Sequence, residues 1–180
     1  MKATLIAIVL VGAVLSVDGV GAAAALEIGK PAPDFTLADA NGEKVSLHQF
    51  RGKRLVLIEF VGSAFAPTCS ANMKARGTDY KKFEELNVQV LGISVDSSFT
   101  LKAFADSAKT PFPLLSDMGL QTIKRYGVLA PDKVRALRAY FLVDDKGVLR
   151  KQWLLGVPGD DIVFSCDPII PAIQEINGKR

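Results

Sequence analysis

Residues 60–73 read FVGSAFAPTCSANM, and how this stretch is read decides the fold. The residues leading into it, 55–61 (LVLIEFV), form a continuous, partly β-branched apolar run. The run is too short for a buried helix and fits a buried strand. After it, Cys69, Met73, Arg76, Tyr80 and Phe83 recur at helical spacing and share roughly one face. The strand therefore feeds a helix whose first turn carries Cys69. Unpaired N–H groups and the helix dipole stabilise a thiolate there, below the free cysteine pKa of about 8.5. The competing interpretation is a small buried apolar filler, the usual role of a free cysteine. The strand, turn and helix context favours the reactive thiol.

Working outward, the 180 residues suit a single domain with a full core. A hydrophobic content of 49% with 23% charged residues excludes a disordered chain. The net charge of +3 is spread among acidic residues, which gives nucleic-acid binding no support. At the N-terminus, Met1 and Lys2 precede an uncharged apolar stretch, 3–17, and small residues, 21–25 (GAAAA). That pattern predicts a secretory signal peptide over residues 1–25, cleaved near Ala23 to Ala25, with the folded domain over 26–180. The apolar run falls short of the roughly 20 residues that a bilayer span needs, so an uncleaved anchor is disfavoured. The expected location is periplasmic or extracellular, and two cysteines in such a compartment suggest one disulfide, structural or transient.

Within the domain, residues 28–37 (IGKPAPDFTL) form an extended lead-in. Asn41-Gly42 between apolar flanks predicts a β-hairpin that pairs 35–37 with 44–47. A short helical turn follows at 46–53 and stops at Gly52. It carries His48, the chain's single histidine, which reads as a solvated polar residue because a metal site needs several converging ligands. A second buried strand is expected over 88–95, a helix capped by Ser97 or Ser98 runs to about Ala108, and a short extended stretch covers 111–117. Next come a helix over 118–126 ended by Gly127, two antiparallel strands (138–143 and 148–155) around a DDKG turn, and a last helix over 167–176. This last helix contains Pro171, tolerable only in its first turn. The alternation predicts an α/β fold with a central mixed sheet flanked by helices and preceded by an N-terminal β-hairpin. In such sheets reactive groups gather beyond the carboxyl ends of the strands, where Cys69 falls.

The segments IGKPAPDFTL, GEKVSLHQFRGKRLVLIEF, APTC, VQVLGISVDSSFTLKAFA, FPLLSD, IKRYGVL and LRAYFLVDDKGVLR occur in order. Together they resemble the peroxiredoxin family, the alkyl hydroperoxide reductase and thiol-specific antioxidant group. The resemblance covers residues 28 to about 155 and implies a thioredoxin-like fold. It further implies a thiol peroxidase that reduces hydrogen peroxide or organic hydroperoxides, with Cys69 oxidised to sulfenic acid. The family's active-site arginine falls on Arg138, where a fixed cation favours the thiolate. Arg135 and Arg150 read as solvated charges. The resemblance implies no metal, flavin or nucleotide cofactor. It implies an external thiol reductant, a thioredoxin-like protein or a small thiol, and a homodimer.

The active-site loop around Ala66, Pro67 and Thr68 departs from the family pattern P-x-x-x-(T/S)-x-x-C. Gly62 stands at the proline, Ala66 at the hydroxyl residue, and Asn72 at a frequent glutamate. Loss of one oriented donor commonly costs about 10²–10³ in rate. Ser63, Thr68 and Ser70 are nearby hydroxyls, which in general commonly bond local backbone. Cys166, in VFSCDP, is a candidate resolving cysteine, with a structural disulfide or an unpaired buried thiol as alternatives; the resolving position five residues beyond Cys69 is occupied by Lys74. Two alternative functions stay open: a thiol–disulfide oxidoreductase or redox sensor, and a non-catalytic binding or holdase module on a decayed site.

Overall fold

The run LVLIEF becomes strand β3 (Leu55–Phe60), buried at every residue. Its neighbours explain why: β4 (Val88–Ser94) pairs with it in parallel on one side, and β6 (Ala139–Val143) pairs with it antiparallel on the other. The computed structural model describes residues 26–155 and 166–178, so the expected leader over 1–25 lies outside the described residues.

The hairpin expected around Asn41-Gly42 is present as β1 (Thr36–Asp39) and β2 (Lys44–Ser46), with Leu37 opposite Val45. Its turn is held by Asp39, whose Oδ1 accepts the N–H groups of Asn41 (2.8 Å) and Glu43 (2.9 Å), while Gly42 adopts φ +87°. A 3₁₀ turn, Leu47–Phe50, follows. With β5 (Leu114–Ser116) and β7 (Leu149–Leu154), the sheet has seven strands in the order β2-β1-β5-β4-β3-β6-β7. Its centre, β3, β4 and β5, is parallel, and the outer strands are antiparallel. The α/β mixed sheet matches the sequence expectation.

Alternation along β3 divides the core into two layers. Leu55 and Leu57 pack with Met73 and Phe83 of α1 (Pro67–Glu85), Leu101 and Phe104 of α2 (Ser98–Ala108), and Ile169 and Ile173 of α4 (Ile169–Gly178). Val56, Ile58 and Phe60 face the opposite layer with Leu47, Ile123, Tyr126 and Phe141. Phe60, Tyr126 and Phe141 meet there at centroid distances of 5.0–5.7 Å.

Helix ends follow local chemistry. Ser97 caps α2 by accepting the Thr100 N–H at 3.2 Å. Pro171 is the third residue of α4, inside the first turn, where its missing N–H costs little. The helix expected over 118–126 is shorter, α3 (Gln121–Arg125). The Asp117 carboxylate accepts the N–H groups of Gln121 (3.1 Å) and Ile123 (2.8 Å), and Leu120 sits at φ +58°. A capping side chain four residues before the first helical residue and a left-handed residue together delay the helix start.

Candidate functional site

Cys69 lies in the first turn of α1, directly beyond the carboxyl end of β3, and is 7% exposed. Pro67 opens the helix with no N–H to leave unsatisfied. Ala66 takes the cap position at φ −60° and ψ 137° and offers no side-chain hydrogen bond. The Ser70 N–H reaches the Ala66 carbonyl at 2.8 Å, so the backbone closes the first turn alone. No acidic side chain lies in that turn to oppose a thiolate.

The loop from β3 to α1 is positioned by three features. Gly62 packs tightly: a Cβ built on it falls 3.3 Å from the Ala136 carbonyl oxygen and 3.9 Å from Cys69 Sγ. The Ala64 N–H donates to Asp96 Oδ2 at 2.7 Å, and the same oxygen accepts the Ser94 hydroxyl at 2.6 Å. Phe65 adopts φ +61°, with its half-exposed ring edge-on to Phe104 at 5.2 Å.

Cys69, Asn72 and Met73 of α1 converge with Glu59, Phe60, Val61 and Arg138 around one cavity so narrow that it has no room for a water molecule. Arg138 stands at the mouth of β6, antiparallel to β3, which brings it to the same end of the sheet as Cys69. The sequence reading thus paired two residues that the fold brings into one cavity, although 69 positions separate them. Among the nearby hydroxyls, Ser63 bonds the adjacent Ala64 carbonyl, a local backbone contact of the kind expected.

Behind the cavity lies a buried polar cluster. Glu59, 2% exposed, accepts from Arg76 Nε at 3.2 Å through one oxygen and from the Tyr140 hydroxyl at 2.9 Å through the other. Arg76 is 1% exposed, and its guanidinium faces the rings of Phe83 and Tyr140 at 5.6 and 5.1 Å. Burial opposes its charge, yet Glu59, Tyr140 and Cys166 together raise its pKa above the ordinary value. Burial and the Glu59 carboxylate push the Tyr140 phenol well up, so it stays a donor. A terminal nitrogen of Arg76, Nη1, donates to Cys166 Sγ.

Cys166 is a free, buried thiol at the entry to α4, and Cys69 is also free. Burial pushes the Cys166 thiol up from 9.0 to about 12 against the pull of Arg76, and Asp79 adds to the rise by accepting a hydrogen bond from the thiol. Arg76 lies seven residues beyond Cys69, two turns along one face of α1.

Other sequence candidates sit elsewhere. His48 is more than half exposed, pairs through Nδ1 with Asp34 at 2.8 Å and is not among the residues that line the cavity. Arg135 pairs with Asp132 on the surface, whereas Arg150 binds the buried carboxylate of Asp144 at 2.7 Å and is more than a solvated charge. Among the described residues no group of three or more His, Cys, Asp or Glu side chains could hold a metal. Sequence reading missed Glu59 and Asp96 and saw Arg76 only as a member of the helix face. A charge inside an apolar strand and another on the apolar face of the next helix were the available signal.

Residues 28–152 match the AhpC/TSA family. The chain belongs to that family, the peroxiredoxins. Peroxiredoxin-2 of Cricetulus griseus is 36% identical over 157 residues, covering 82% of this chain and 79% of the relative. Peroxiredoxin 2 of Caldanaerobacter subterraneus subsp. tengcongensis is 36% identical over 132 residues, covering 69% of this chain. The chain spans 59% of the length of that relative and of the Aquifex aeolicus peroxiredoxin. The reduced 2-Cys peroxiredoxin of Plasmodium vivax superposes with a TM-score of 0.75 at 32% identity, over 84% of this chain and 97% of the other. As a peroxiredoxin, this chain has the thioredoxin-like fold that its sequence implied.

Proposed function

We propose that this peroxiredoxin is a thiol peroxidase acting on hydrogen peroxide or organic hydroperoxides. The Cys69 thiolate attacks one peroxide oxygen, the O–O bond breaks, and the leaving hydroxide or alkoxide takes a proton to become water or alcohol. Cys69 is left as a sulfenic acid, two electrons more oxidised than the thiol. Arg138 holds the thiolate and polarises the peroxide. The observation that carries this reading is the convergence of Cys69 and Arg138 on one narrow spot beyond the end of β3, with Cys69 in a helix first turn.

Turnover consumes two thiol equivalents. They come from an external thiol, either a thioredoxin-like protein or a small molecule, or from Cys166 followed by such a reductant. A homodimer and export to the periplasm or extracellular space complete the proposal. Ala66, which gives the first turn no hydroxyl, favours a second reading in which Cys69 serves slower thiol–disulfide exchange or oxidant sensing.

Stopped-flow oxidation by hydrogen peroxide of the wild type, Cys69→Ser and Arg138→Met separates the two. The peroxidase reading expects a wild-type rate far above that of a free thiol, no reaction in Cys69→Ser, and a loss of at least tenfold in Arg138→Met. A wild-type rate equal to that of a free thiol overturns it and leaves the exchange reading. Mass spectrometry of the oxidised chain distinguishes a Cys69–Cys166 disulfide from sulfenic acid on Cys69 alone.

A further inference from the structure

The cavity that Cys69 and Arg138 share is also lined by a carboxylate, an unexpected neighbour for a thiolate. Glu59 belongs to β3, opposite Tyr140 on β6 and Gly92 on β4. Both of its oxygens are taken by donors that reach it from different elements, Arg76 from α1 and Tyr140 from β6. Cys166, at the start of α4, contacts the far side of the same guanidinium, and Asp79 stands behind Cys166. Among the described residues, the charged or titratable groups around Glu59 are Arg76, Tyr140, Arg138, the two cysteines and, behind Cys166, Asp79.

An unpaired carboxylate at this depth repels a neighbouring thiolate, and an unpaired guanidinium attracts one. Joined in one ion pair, the two opposite charges offset one another. We propose that Glu59 is a positioning residue for the thiol chemistry: through its pairing with Arg76 and Tyr140 in the wall of the shared cavity, it sets how readily Cys69 ionises. The consequence is a site whose electrostatics come from a buried internal pair as well as from Arg138 and the helix terminus. The inference rests on Cys69 as the peroxide-reacting thiol.

The test follows the pH dependence of Cys69 oxidation by hydrogen peroxide in the full chain, read by quenched mass spectrometry. Variants are Glu59→Gln, Tyr140→Phe and the double variant Glu59→Gln with Arg76→Met. Glu59→Gln keeps the shape and exposes the Arg76 charge, so the midpoint of the profile falls by about one pH unit. Tyr140→Phe removes a donor from the carboxylate, and the midpoint rises by a few tenths of a unit. The double variant removes both charges and restores the wild-type midpoint. A purely structural pair gives no opposed signs.

A folded Glu59→Gln protein whose midpoint coincides with that of the wild type overturns the inference. Where Glu59→Gln does not fold, Tyr140→Phe decides: an upward shift supports the inference and an unchanged midpoint overturns it. Cys69→Ser keeps the two levels apart. Persistent peroxide reduction in that variant defeats the peroxidase reading, whereas loss of reduction together with unshifted midpoints in Glu59→Gln and Tyr140→Phe defeats this inference alone.

Discussion

The backbone N–H of Ala64 points at the carboxylate of Asp96, 2.7 Å away, and this bond ties the loop before Cys69 to the end of β4. The carboxylate also accepts the Ser94 hydroxyl, while the Asp96 carbonyl accepts from Ser116 on β5 at 2.7 Å. One residue thus fastens three segments at the carboxyl edge of the parallel strands. Asp96→Ala leaves two partly buried donors without an acceptor and is expected to lower stability by about 1–3 kcal/mol. Oxidation of Cys69 slows as its loop loosens. Asp96→Asn retains an acceptor oxygen and recovers most of both losses, a difference that thermal unfolding and stopped-flow traces resolve.

Ala66 occupies a helix cap with extended ψ and no side-chain acceptor. Ala66→Thr supplies the missing oxygen to the first-turn N–H groups, which is worth about 0.5–2 kcal/mol. A higher unfolding midpoint is expected, together with a Cys69 oxidation rate increased by at least tenfold. A stability gain with no change in rate would show that the hydroxyl serves only the helix here.

Gly62 is enclosed by the Ala136 carbonyl and Cys69 Sγ. A methyl group at this position fits only if the carbonyl gives way by a few tenths of an ångström, at a cost of about 1 kcal/mol. Gly62→Ala is therefore expected to unfold at slightly lower denaturant and to slow alkylation of Cys69 by iodoacetamide. Both are measured on one preparation, by urea titration and timed mass spectrometry.

The raised thiol of Cys166 predicts a sloping alkaline limb in stability. The folded chain binds this proton more tightly than the unfolded chain does. The contribution is therefore complete below about pH 9 and is lost as pH rises from 9.0 towards about 12. Tyr126 and Tyr140, also raised by burial, add their own loss only above about pH 10. Urea unfolding at pH 8 to 10 is expected to show falling stability in the wild type and a flatter line in Cys166→Ser.

Where the sequence could be read, a local pattern had a single structural solution. The unbroken LVLIEFV run gave a central strand, Asn41-Gly42 gave the hairpin, and the capping serine at 97 started α2 as expected. The family motifs supplied the pairing of Cys69 with Arg138, which no spacing rule gives, because it depends on β6 running antiparallel to β3. The early start expected for α3 failed because apolar periodicity says nothing of a left-handed Leu120 or of a carboxylate reaching forward from Asp117. The buried cluster escaped notice for a related reason. Glu59 and Arg76 each look like a lone violation of an apolar pattern, and only their meeting across β3 and α1 makes sense of either.

Cys166 sits where α4 leaves the preceding chain, with its sulfur enclosed by Arg76 and Asp79. Burial holds the docked thiol up at about 12 against its ordinary 9.0, so freeing it raises its thiolate fraction steeply at neutral pH. An alkylating reagent therefore finds Cys166 almost only during excursions of α4 from the sheet. The residue is a clock built into the chain, and its modification rate counts helix departures much as amide exchange counts local openings.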